Sequence, residues 1–247
     1  MSNTDTLLNF MVNYGKAYLS NGGPTSRLED DLSSLGLHMK LPTEVFATPT
    51  GIFVSCQDHK KVNHTVLSRI KESGINLGKL CWLEGIFRDV LSSKLTLDNA
   101  LRLLNNKSLP KEPYTFYQIM FAAFFSGFAL SVTAYKMWGA AIISGLIAAS
   151  TWWISGPALK ARVSSSIFRD FIDCTVTLGL SLLCLIFFPA PFEAYSIGGL
   201  IILVPGLALT TAIAELADQN LVSGTGKLMH AILTLLAMGL AYILFYD

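Results

Sequence analysis

Charge is scarce in this chain, and the scarcity is uneven. Only 14% of its 247 residues are Asp, Glu, Lys or Arg, where a soluble domain carries about 25%. Residues 1–113 hold 13 Lys/Arg and 11 Asp/Glu; residues 114–247 hold 5 and 6. The net charge is +1, and no basic run is long enough to track phosphates, which argues against a nucleic-acid partner. Cysteine is sparse too. Cys56, Cys81, Cys174 and Cys184 form no CxxC pair and no zinc spacing, so they read as small apolar residues. The chain has no glycine-rich phosphate loop and no GxSxG. His38, His59 and His64 are scattered without a carboxylate at ligand spacing, and Asp58-His59 reads as solvated turn. These absences argue against an enzyme, a metal site and a bound cofactor. The start, MSNTDTLLNFMVNYG, lacks a basic n-region, a long apolar core and a cleavage site. The N-terminal part is therefore expected in the cytoplasm.

What the chain has in quantity is apolar surface, at 52% hydrophobic residues and a mean hydropathy of +0.50. The charge asymmetry divides it into a small cytoplasmic α+β domain over residues 1–110 and an all-α transmembrane domain over residues 111–247. In the first part, Leu7, Leu8, Met11, Val12, Tyr18 and Leu19 recur at helical spacing. Asn21-Gly22-Gly23 stops that helix, and Pro24 suits the first turn of the next. Leu28, Leu32 and Leu35 give the next apolar stripe. Segments 45–48 and 51–55 read as a β-hairpin around Pro49-Thr50-Gly51, and 62–70 as a third strand. Segments 77–91 and 97–104 read as helices, the latter N-capped by Thr96.

In the second part, about five apolar segments are each long enough to span a bilayer: residues 114–134, 138–155, 168–188, 196–217 and 227–246. Lys160, Arg162 and Arg169 lie around the second connection and Lys227 at the fourth. Basic residues favour the cytoplasmic side, so the N-terminal domain is expected inside and the C-terminus outside. Small residues such as Gly127, Gly145, Gly198 and Gly199 permit close helix packing, and suit a monomer as well as a homo-oligomer.

Three features exceed packing. Val204-Pro205-Gly206 falls midway along the fourth span, where Pro removes a backbone donor and Gly relaxes the chain. A break there is tolerated where protein or a polar cavity satisfies the freed carbonyls, and broken helices line binding sites in many transporters; a simple structural kink is the alternative. Beyond the break, Thr211, Glu215 and Asp218 share one helix face, and an intramembrane carboxylate is costly unless it faces protein or water. Asp170, Asp173, Thr177 and Ser181 share a face at the start of the third span, with Arg162 or Arg169 available to Asp170. His230 and Thr234 are one turn apart on the fifth span; the histidine can relay protons or bond a neighbouring helix.

The stretch Leu203-Val-Pro-Gly-Leu-Ala-Leu-Thr-Thr-Ala-Ile-Ala-Glu, followed by Gly224 and Lys227, resembles the threonine/serine exporter (ThrE-like) family, most closely its short, split YjjP-type members. Gly23, Asp30, Leu32, Ser33 and Ser34 resemble the family's early glycine and acidic-Leu-Ser-Ser helix, and Gly74-Ile75-Asn76 fits a further piece. Thr211 stands where the family pattern has asparagine, and Glu215 where it has aspartate; both departures bear on substrate identity. The resemblance implies an exporter subunit for small polar metabolites, threonine and serine or C4-dicarboxylates such as succinate. It implies a bacterial inner-membrane location and a second small membrane subunit as partner. With no Walker A motif, a proton gradient is the expected energy source. Pro205, Gly206, Thr211 and Glu215 are the candidate pathway residues, then Asp173, with Asp170, Thr177, Asp218 and His230 behind. The competing reading is a non-transporting regulatory subunit whose soluble domain binds a metabolite or partner.

Overall fold

A computed structural model describes residues 3–58, 60–71, 74–105, 114–154 and 165–246. His59, Lys160 and Arg162 lie outside the described residues. The chain divides into two compact units, one of residues 1–113 with 210–228 and the other of residues 114–209 with 229–247.

The first unit opens with helix α1 (Asn3–Ser20). Its Leu7, Phe10, Met11, Tyr14 and Tyr18 repeat at helical spacing and are all buried. The helix ends where Gly22 adopts φ 87°. The Gly23 amide then reaches back to the Tyr18 carbonyl and the Gly22 amide to Leu19, the paired bonds of a Schellman cap. Gly23 must be small, because a Cβ there would run into the Tyr18 ring. Helix α2 (Thr25–His38) buries Leu28, Leu32 and Leu35. Strands β1 (Thr43–Thr48), β2 (Gly51–Gln57) and β3 (Asn63–Arg69) form an antiparallel sheet in the order β1-β2-β3. Val45, Val54 and Val66 stand opposite one another across it. Period-two alternation puts Ile52, Val54 and Cys56 in the core and leaves Phe53 exposed on the other face. The β2–β3 turn is fixed by Asp58, whose carboxylate accepts the amides of Lys60 (2.7 Å) and Val62 (2.9 Å) and lies 3.3 Å from His64 Nε2. The Val62 amide is the main reason its carboxyl is held below the ordinary aspartate range. Asp58 is thus a turn-forming residue rather than a purely solvated one.

Helix α3 (Leu77–Leu91) is capped by Asn76, which accepts the Lys79 amide at 2.9 Å. Helix α4 (Leu97–Asn105) starts at Thr96, which accepts the Asn99 amide at 3.4 Å. Both helices contribute to the core shared by α1, α2 and the sheet.

The second unit contains helices α5 (Phe116–Tyr135), α6 (Trp138–Trp153), α7 (Ser166–Phe187) and α8 (Phe192–Leu203). It also holds the start of α9 (Gly206–Ala217) and most of α10 (Leu221–Tyr246). Small residues form its seams. Gly127, Ser144 and Gly198 meet where α5, α6 and α8 touch, and a Cβ on Gly198 would strike Ser144 and the Gly127 backbone. The Gly198 amide donates to Ser144 Oγ (3.1 Å), and Ser131 Oγ donates to the Ala194 carbonyl (2.7 Å). Cys174 and Leu178 of α7 pack on Met238 and Ala241 of α10. Leu182, Leu183 and Ile186 of α7, and Leu236, Leu240 and Leu244 of α10, stay exposed, as side chains solvated by lipid would be.

About five spans are expected, and the described residues account for three or four of them. Among the described residues, α5, α7 and α10 are long and apolar enough to cross a membrane, and the bent pair α8–α9 raises the number to four. Helix α6 has 16 residues, a length of about 24 Å against a hydrocarbon core of about 30 Å. The expected fourth span is two helices meeting at 48°. Helix α10 starts at Leu221, six residues before the expected 227.

Candidate functional site

The break between α8 and α9 follows from local chemistry. Val204 leaves the helix for extended backbone at φ −61°, ψ 123°. Pro205 has no N–H to continue the ladder. The Gly206 amide turns back to the Val204 carbonyl (2.8 Å), and the Leu209 amide to Pro205 (3.0 Å) opens α9. Gly206 itself is exposed, with open space where a Cβ would stand, so its small size is not demanded by packing.

Near the end of α9, Glu215 is 2% exposed. Its Oε1 accepts the Thr25 amide at 2.9 Å, the Thr25 hydroxyl at 3.1 Å and Lys227 Nζ at 2.5 Å. Its Oε2 accepts the Ser223 hydroxyl at 2.7 Å. All four residues belong to the first unit. Thr25 is the first residue of α2, after Pro24, and α2 has no side-chain cap of its own. The Thr25 amide is one of the donors that a helix N-terminus leaves unpaired, and a carboxylate there also meets the favourable end of the helix dipole. Ser223 and Lys227, four residues apart on α10, reach Glu215 from one face of that helix. The carboxylate is therefore fully bonded, charge-paired and shielded from water. Thr211 lies one turn earlier on α9 and is half-buried; Asp218 is exposed. Asp218 lines a groove of about 530 Å³ with Ser26, Arg27, Glu29, Asp30 and Asn220. Glu29 accepts the Ala47 amide at 2.6 Å, and burial nevertheless raises its carboxyl above the ordinary range.

In the second unit, Asp173 (2% exposed), Thr177 and Ser181 form the buried face of α7, which is the face their spacing indicates. Thr177 Oγ1 donates to the Asp173 carbonyl at 2.8 Å and lies 2.7 Å from Thr151 Oγ1 of α6. A Cβ on Gly199 of α8 would meet the Thr177 methyl. Asp170 Oδ2 accepts the Thr234 hydroxyl of α10 at 3.0 Å. His230 is exposed. Hydrogen bonds thus join Glu215 to Thr25, Ser223 and Lys227 in the first unit, and Asp173 to Thr177 and Asp170 to Thr234 in the second. Among the described residues, no three His, Cys, Asp or Glu side chains gather as metal ligands would.

Sequence reasoning missed Thr25, Ser223 and Thr151. Thr25 follows a proline at a helix start, a signal that an anion belongs there, but nothing in it points to Glu215, 190 residues away. Ser223 could have been found from its four-residue spacing to Lys227.

Apolar helices long enough to span a bilayer, one of them broken at a proline, together with small-residue seams and buried carboxylates, define a membrane protein that also carries an α+β fold. Residues 9–246 match the ThrE family model, described as "Putative threonine/serine exporter". The chain belongs to this family. It is 22% identical over 239 residues to pheromone-regulated membrane protein 10 of Eremothecium gossypii, covering 93% of this chain and 32% of that protein. It is 24% identical over 243 residues to the protein of the same name in Debaryomyces hansenii, covering 93% of this chain and 23% of that one. An uncharacterized protein, C7D4.12c, of Schizosaccharomyces pombe is 22% identical over 240 residues, covering 91% and 30% respectively. The chain spans a third or less of the length of these relatives. No solved structure matches it.

Proposed function

We propose that this chain is a membrane subunit of a secondary exporter that moves small polar metabolites out across a bacterial cytoplasmic membrane. The substrates are threonine and serine, or C4-dicarboxylates such as succinate. A proton gradient drives it, a second small membrane subunit works with it, and the α+β part faces the cytoplasm. No enzymatic step is part of this reading.

The observation that carries it is the Val204-Pro205 break, followed within one short helix by the buried Glu215. A break exposes backbone polar groups that water or a polar solute can satisfy at membrane depth. A buried carboxylate among apolar helices is retained where charge is handled. Family membership supports export as the direction of transport. Pro205, Gly206, Thr211 and Glu215 form the pathway in this reading. Asp173, buried against the Thr151–Thr177 seam, is a second carboxylate on it, with Asp170, Thr177, Asp218 and His230 subsidiary.

The test is efflux from cells loaded with labelled threonine or labelled succinate, with the chain expressed alone and together with a candidate second subunit. Efflux of one solute above the empty-vector control, lost in Glu215→Gln, is the expected result. No efflux of either solute in any combination, with metabolite binding confined to residues 1–110, would instead support the non-transporting regulatory subunit.

A further inference from the structure

We propose that Thr25, Ser223 and Lys227 are positioning residues for Glu215, and that through Thr25 the α+β fold sets how fast α9 and α10 work in transport. This rests on the exporter reading and assigns a regulatory part to the same carboxylate.

The clasp joins three stretches of chain: the first turn of α2, the end of α9 and the start of α10. Its chemistry is not that of a plain anchor. A buried ion pair commonly contributes no more stability than apolar side chains of equal volume. Removing one partner, in contrast, leaves a buried charge uncompensated. Such a contact is costly to half-break, so it holds two arrangements apart: closed, with all donors engaged, or opened as a unit.

Thr25 makes the clasp a two-way link. Pro24 supplies no side-chain cap to α2, so Glu215 acts as the cap from a distant part of the sequence. When Glu215 leaves, the α2 terminus loses its acceptor; when α2 shifts, Glu215 loses two of its four donors. Coupling of this kind is reciprocal. One turn further along α2, Glu29 accepts the Ala47 amide of β1. A displacement of α2 is thereby passed to the sheet, and a ligand or partner on the α+β fold has a route of hydrogen bonds to Glu215. Lys227 on α10 pairs with the carboxylate, and Arg27, Glu29 and Asp30 on α2 and Asp218 on α9 line the groove formed by these elements.

The decisive variant is Thr25→Pro. Proline suits the first position of a helix yet removes both the amide and the hydroxyl donor. In the full chain, with any subunit it needs for efflux, Thr25→Pro is expected to lower the maximal efflux rate about tenfold. The half-saturating solute concentration should stay within about twofold of wild type. Thr25→Ser, which keeps both donors, should behave as wild type. A second measurement is independent of transport: amide hydrogen exchange of the first turns of α2 in the full chain, held in lipid nanodiscs. Exchange should rise in Lys227→Met and return to the wild-type level in Lys227→Arg. Wild-type efflux by Thr25→Pro would overturn the regulatory claim. Unchanged α2 exchange in Lys227→Met would overturn the clasp itself. If the wild-type chain exports nothing, the exporter reading fails, while the exchange measurement still decides whether Lys227 holds α2 through Glu215.

Discussion

Single side chains in the α+β core show how unevenly burial is rewarded. Tyr14 is fully buried in a row with Phe10 and Tyr18, its ring 5.2 Å from that of Phe87. Its hydroxyl has no hydrogen-bond partner among the described residues. Burial accordingly pushes its ionisation well above the ordinary tyrosine range, and that of Tyr18 up to about 12. A buried hydroxyl without a partner costs about 1–3 kcal/mol. Tyr14→Phe keeps the ring stack and removes the hydroxyl, so it should leave stability unchanged or raise it by about 1 kcal/mol. Thermal unfolding of the purified chain measures this. Gly23 is the opposite case, since there one added methyl would enter the space of the Tyr18 ring. The resemblance marked Gly23 without a reason; the reason is this packing.

At the scale of helices and strands, most of the α+β part is legible in the sequence. The stop at Asn21-Gly22-Gly23, the hairpin at Pro49-Thr50 and the cap at Thr96 are written in residues next to one another. The helix break is equally local, because Pro205 lacks a donor in any context. The start of α10 is not. Ser223-Gly224-Thr225-Gly226 precedes the expected fifth span, yet it is helical, with Gly224 small enough to lie against Leu216. The expected span opened at Lys227, and the added turn of helix before it brings Ser223 and Lys227 onto one face toward Glu215. The clasp was illegible because its donors are dispersed through the sequence and none is unusual alone. For the break itself, Pro205→Ala restores an N–H and should make α8 and α9 more nearly continuous. Helical circular dichroism should hold or rise, and stability should stay within about 1 kcal/mol. Efflux should fall. Undiminished efflux from a straightened helix would remove the break from the pathway.

For the whole molecule, sidedness is the property most open to a direct check. Cys81 is the exposed cysteine, whereas Cys56 and Cys174 are buried and Cys184 is partly so. A membrane-impermeant maleimide should label Cys81 in inside-out membrane vesicles and spare it in intact cells. The reverse pattern would place the α+β part outside and undo the proposed orientation. The clasp has one more consequence, for biosynthesis. Thr25 and Glu215 are 190 residues apart, and Lys227 comes later still. A chain emerging from the ribosome can complete the core around Tyr14 and Leu28 early, because those contacts are close in sequence. It cannot cap α2 until Glu215 of α9 has been made, and it cannot charge-pair that carboxylate until Lys227 of α10 follows. The N-terminal part is therefore made early and completed late: a chain stalled before Glu215 leaves the α2 terminus without its acceptor, and one stalled between Glu215 and Lys227 leaves a buried carboxylate without its counter-charge.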